Sequence, residues 1–230
     1  MTATFNGFDF GTTFGNAYVL LGDIVAGADG IRSSNNSSGG NVVTVHVGAS
    51  VFGRSDGIEL TGSVNRVTNN GSVHGNGDGG IQILGADADI INNGVVFGAF
   101  EAVRADGDNG RVVNNGTLQS DINGLFAQGD NTQIVNTGTI TAGSIGVSVF
   151  GQSVVSNSGT IVGGTRGVSM TTAQSDVTTL INSGTITSLG VSGTQPVTQI
   201  AVRGGEGAET VENSGLIEGN VELGLNQDTV

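Results

Sequence analysis

Seven times between residues 69 and 215 the chain writes Asn-x-Gly with an aliphatic residue two positions before the Asn and another two positions after the Gly, as in "VVNNGTL" (112 to 118). Aligned on the glycine, the copies stand at Gly71, Gly94, Gly116, Gly138, Gly159, Gly184 and Gly215, and Gly48 and Gly22 extend the register without the Asn. The steps are 26, 23, 23, 22, 22, 21, 25 and 31 residues. A recurrence at this spacing is the mark of a stacked repeat architecture. It also limits the chain to folds in which each unit has the same shape as the last.

Inside each unit the side chains alternate. Val112, Asn114, Gly116 and Leu118 fall on one face and Val113, Asn115 and Thr117 on the other, which is strand periodicity broken by a corner. A further alternating stretch follows, seen in "GIQIL" (80 to 84), "GVSVF" (146 to 150) and "GVSM" (167 to 170), and a Gly- and Asp-rich turn then leads to the next anchor. One such unit buries too few side chains to offset the ordering of its backbone. Stacked units hydrogen-bond to one another and cover each other's interior. The sequence therefore predicts an all-β, right-handed parallel β-helix of about nine coils, with right-handedness expected from parallel crossovers in general. An antiparallel meander would place Asn-Gly turns every 8 to 12 residues, and the second corner here does not resemble the first.

In such a stack Asn69, Asn92, Asn114, Asn136, Asn157, Asn182 and Asn213 lie above one another. An amide carries both donor and acceptor, so a column of them can bond along the axis. Asn also tolerates the left-handed backbone of a corner, and the following Gly leaves room for the bend. Two aliphatic columns flank the amides: Val67, Ile90, Val112, Ile134, Val155, Leu180 and Val211 on one side, and Val73, Val96, Leu118, Ile140, Ile161, Ile186 and Ile217 on the other.

The ends differ. Phe5, Phe8, Phe10, Phe14 and Tyr18 crowd the first 18 residues, which predicts an N-terminal aromatic cap over 1–18 and a β-helix over 19–230. At the other end "DTV" (228 to 230) repeats "ETV" (209 to 211), so the solenoid is expected to continue there or to meet another molecule. The stretches 32–41 and 188–197 read as outward coil insertions.

Gly at 42 of 230 residues suits many corners, while one Pro and no three-residue glycine period exclude collagen. The basic residues are seven Arg and no Lys against 20 carboxylates, a net charge of −13 that disfavours nucleic acid and anionic membrane. No Cys excludes disulfides and Cys-based zinc sites. The run "AYVLL" (17 to 21) is too short to span a membrane and lacks the basic leader of a secretory signal.

Phrases such as "VNTGTITAGSIGVSVFG" and "ENSGLIEGNVELGLNQDTV" resemble the β-solenoid repeats of bacterial secreted surface proteins, autotransporter passenger domains and type I secreted repeat proteins among them, over about residues 19 to 230. The resemblance implies export to the bacterial surface or medium, without an N-terminal signal if the route is type I secretion. The calcium-binding nonapeptides of that class do not carry over, because only "GNGDGGIQI" (75 to 83) comes near, and once.

Candidate chemistry is sparse. Asp108 and Asp130 lie 22 residues apart on one stacked turn, with Asp87, Asn109 and Asn131 in the next column and Arg104 and Arg111 flanking. Two carboxylates one coil apart suit a weakly held cation such as Ca2+, a glycosidase pair, or a solvated acidic turn. His46 and His74 are read as surface residues, and Glu206, Glu209, Glu212, Glu218 and Glu222 as solubilising charge. Phe97, Phe126 and Phe150 are read as single members of the core pattern. The expectation is a non-enzymatic structural or adhesive rod that associates end to end, with a cell-surface glycan as a possible partner. A carbohydrate-active β-helix enzyme is the alternative, and ice binding, which would need flat Thr-x-Thr ladders, is a third idea supported only by "GTIT" fragments.

Overall fold

The computed structural model describes residues 7–33, 39–173, 175–190 and 199–230. Among these there is no helix; 28 short strands pair in parallel into sheets of nine, nine and ten. Each coil contributes one strand to each sheet. In coil five, Arg111–Asn114 lies in sheet 1, Thr117–Ser120 in sheet 2 and Asn123–Gln128 in sheet 3. Nine such coils run from Ala17–Leu20 to Asn220–Glu222, and Phe8–Asp9 precedes them on the edge of sheet 3. The architecture is a β-solenoid.

Register follows the sequence columns. Val67, Ile90, Val112 and Ile134 are mutual partners in sheet 1, as are Val73, Val96, Leu118 and Ile140 in sheet 2. Sheet 3 closes the cylinder with Ile58, Ile81, Val103, Leu125 and Val147, all buried. The interior is one unbroken apolar cluster, each buried Val, Leu or Ile contributing about 1.5–3 kcal/mol.

Two expected roles at the Asn-x-Gly corner are different in the structure. None of the seven ladder asparagines has positive φ; left-handed backbone occurs instead at the corner between sheets 3 and 1, at Val64, Asp87, Asn109 and Asn131 (φ 57° to 63°). Nor do the corner glycines from Gly71 to Gly215 have positive φ. They are needed because successive corners nest: a Cβ on Gly116 would sit 2.1 Å from the Gly94 carbonyl oxygen, and one on Gly138 would sit 2.1 Å from that of Gly116.

At the N-terminus Phe8 stacks on Tyr18 with centroids 4.1 Å apart, and Phe10 meets Phe8 edge-on at 4.9 Å. Phe10 is buried against the first coils, whereas Phe14 is 71% exposed. Three of the five rings thus form a cluster, and Phe5 lies outside the described residues. Thr229 pairs in parallel with Thr210, and the Val211 N–H donates to the Thr229 carbonyl at 2.8 Å. The matching tripeptides are therefore neighbours in the stack. Most of the two expected insertions, 34–38 and 191–197, falls outside the described residues.

Candidate functional site

The asparagines form one continuous amide column. Asn69 Nδ2 donates to Asn92 Oδ1 at 2.8 Å, and the same contact recurs from Asn92 to Asn114, Asn114 to Asn136, Asn136 to Asn157, Asn157 to Asn182 and Asn182 to Asn213 at 2.7–2.8 Å. Every donor points toward the C-terminal end. Beside it runs an exposed column of opposite polarity, in which Asn93 donates to Asn70, Asn115 to Asn93 and Thr137 to Asn115.

Asp108 and Asp130 do lie on one stacked turn, and both are exposed. Each accepts a backbone N–H from the coil above: Asp108 Oδ1 from Asp130 at 2.9 Å, and Asp130 Oδ1 from Gln152 at 3.1 Å. The left-handed column beside them is linked by Asn109 to Asp87 and Asn131 to Asn109 side-chain bonds. The turn is tied together by its own backbone. Arg104 and Arg111 do not flank it: Arg104 lies in sheet 3 and pairs with Asp106 at 2.9 Å, and Arg111 lies in sheet 1 and pairs with Asp89 at 2.9 Å. Asp89 also holds Arg66 at 2.8 Å.

The groups with perturbed chemistry gather elsewhere, on the outer face of sheet 3. Here Asp9, Arg32, Glu59, Gln82, Arg104 and Phe126 follow one another in register. Asp29, Asp56 and Glu59 each offer a carboxylate oxygen, all within 4.8 Å of one another. Asp56 is only 3% exposed; its Oδ1 accepts from the Gly79 N–H at 2.7 Å and from Gln82 Nε2 at 2.6 Å. Burial pushes its carboxyl above the usual range. Burial, then the charges of Asp56 and Asp29, push Glu59 up to about 7 against the opposing pull of Arg32. Arg32 in turn bridges to Asp9 at 3.0 Å and Asp29 at 3.7 Å.

Farther along, burial pulls the Arg104 guanidinium down, and the hydrogen bond and charge of Asp106, with Glu101, more than reverse it. Arg104 lies 5.0 Å from the centroid of Phe126, which is 5.2 Å from Phe150. These rings face outward and are half-buried, and Phe97 likewise lies on the outer face of sheet 2, stacked at 4.5 Å on His74, which stacks at 5.2 Å on Phe52. They are paired surface aromatics and not single core members. His46 is exposed and bonds its neighbour Val47.

Of the five late glutamates, four are exposed, but Glu209 is fully buried and accepts the Thr172 hydroxyl and the Gly205 N–H. Burial raises its pKa, and these two bonds oppose the rise. Comparison with protein-family models, with curated proteins and with solved structures finds no match.

Proposed function

We propose that this solenoid is a non-enzymatic structural and adhesive rod of an exported bacterial surface or filament-forming protein. The observation that supports it is the amide column, in which six successive inter-coil bonds run without a break from Asn69 to Asn213 beside a continuous apolar interior. A buried polar column of this kind costs stability wherever one member loses its partner, so it favours one register and resists local opening. Its product is fixed length. The load of such a rod is carried by repetition, and its outer faces are free to vary. Negative-stain electron microscopy across a concentration series tests this. Straight particles that lengthen into filaments as concentration rises support the rod, and compact monodisperse particles at every concentration refute it.

The carbohydrate-active reading draws on one specific observation, the Asp29, Asp56 and Glu59 group. A carboxyl titrating near 7 beside ionised carboxylates is the arrangement that general acid catalysis of glycoside cleavage requires. Release of reducing ends from a polysaccharide panel, abolished by Glu59→Gln, would replace the rod with this reading.

A further inference from the structure

The outward file of sheet 3 changes character in the second half of the solenoid. Arg104, Phe126, Ser148, Ser169 and Arg203 follow in register over coils four to eight. Phe150 stands in the adjacent file, 5.2 Å from Phe126 with the planes at 40°. Together the rings make a half-buried platform on an otherwise polar face.

Arg166 and Arg203 stand on successive coils of the same sheet. Among the described residues neither has a carboxylate within 4.0 Å, whereas Arg32, Arg66, Arg104 and Arg111 each hold one. Burial and the charge of Arg203 hold the Arg166 guanidinium below its ordinary value; Glu222, in register with Arg203, offsets this only in part. Two guanidiniums brought together without a counter-charge repel each other until an anion sits between them. Their planar forks match a carboxylate.

We infer that the outer face of sheet 3 over coils five to eight binds an acidic saccharide, a chain of uronate residues laid along the solenoid axis. Phe126 and Phe150 take the apolar ring faces of the sugars, and Arg166 and Arg203 take a carboxylate. A coil rise of about 4.8 Å is close to one pyranose residue, so successive sugars meet successive coils. The net charge of −13 does not forbid this. Over about 8 Å the field of distant carboxylates is screened at physiological ionic strength, and the local pair dominates. A polynucleotide fits less well, because its affinity comes from many phosphate contacts and this face offers one unpaired arginine pair. The inference rests on the adhesive half of the proposed function and leaves the rod itself aside.

The test is calorimetry of the whole chain with hexagalacturonate, with its fully methyl-esterified form and with a DNA hexanucleotide, at low and physiological salt. The acidic hexamer is expected to bind, and the methyl ester about tenfold or more weaker, the loss of a charge-assisted contact. The Arg166→Gln, Arg203→Gln double variant should lose the same factor for the acidic form alone. Phe126→Ala with Phe150→Ala should weaken both sugars. Thermal melts of each variant separate lost binding from lost folding, and Arg166→Lys with Arg203→Lys, which keeps the charge but not the fork, should fall between. Absent binding, equal binding of ester and acid, binding that survives the double Arg variant, or preference for the hexanucleotide each overturns the inference. Straight particles in micrographs together with no sugar binding would sink the saccharide site and leave the rod standing.

Discussion

The Asn92 side-chain amide donates to Asn114 Oδ1 at 2.8 Å, and Asn114 donates in turn to Asn136, so each amide in the column is at once donor to one coil and acceptor from the other. Asn114 Nδ2 also reaches the Gly116 and Thr139 carbonyls at 3.3 and 3.2 Å. One side chain thus ties a corner to itself and to its neighbour on either side.

Replacing Asn114 with Leu leaves the Asn136 Oδ1 acceptor without its inter-coil donor and removes Asn92's best acceptor. Each orphaned buried polar group costs about 1–3 kcal/mol. Urea denaturation should show a loss in that range, while Asn115→Ala, on the exposed column, should stay within about 0.5 kcal/mol of the parent. Equal losses at the two positions would mean that the inner column carries no special stability.

The corner glycines make a sharper contrast. Gly22 and Gly116 occupy equivalent places in coils one and five, yet a Cβ at Gly22 meets nothing within 4 Å and one at Gly116 falls 2.1 Å from the Gly94 oxygen. Gly22→Ala should be neutral or stabilising by about 0.4–1 kcal/mol. Gly116→Ala should cost at least the ~1–3 kcal/mol of an overpacked core. Thermal melting of the pair decides it.

The pH dependence runs opposite to ordinary acid unfolding. Glu59 rises from 4.5 to about 7 on folding, so between these values the native state keeps a proton that the unfolded chain has released. Its contribution is fully present below about 4.5 and is lost as pH rises through about 7. Asp56, Glu101 and Glu209 are shifted in the same direction, burial being the first cause in each case. Denaturation midpoints should therefore fall from pH 5 to pH 8, and Glu59→Gln should flatten part of that slope; an unchanged slope in the variant would exclude Glu59 as its source.

The columns of sheets 1 and 2 were legible in the sequence because both the Asn and the flanking aliphatics recur at nearly constant spacing, and a period plus a parity is enough to stack them. Sheet 3 was less so. The gap from each corner glycine to this sheet varies, and the insertions after residues 33 and 190 break the count, so that Arg32, Glu59, Arg104 and Phe126 do not look aligned. Asp29, Asp56 and Glu59 are brought together across coils one and two, where the step is 26 residues and no Asn marks the register. The parity that would have placed Phe97 and Phe126 outside was present: Val96 and Gly98, Leu125 and Ala127 all point inward. Hydrophobicity outweighed it, although an outward ring in a solenoid gains cover from a ring in the next coil. The corner glycine was found for an incomplete reason, since its need for clearance comes from the coil beneath.

The stacking itself can be measured without disturbing the interior. The chain has no Cys, so spin labels can be placed on the exposed column next to the ladder, at Asn70 paired in turn with Thr137, Ser158 and Ser214. These positions are three, four and six coils apart. Dipolar distances should increase linearly, at about 14, 19 and 29 Å between backbones, in step with a rise of about 4.8 Å per coil. Distances that fail to grow with coil number, or that put residue 214 nearer to residue 70 than residue 158 is, would contradict the solenoid and everything built on it.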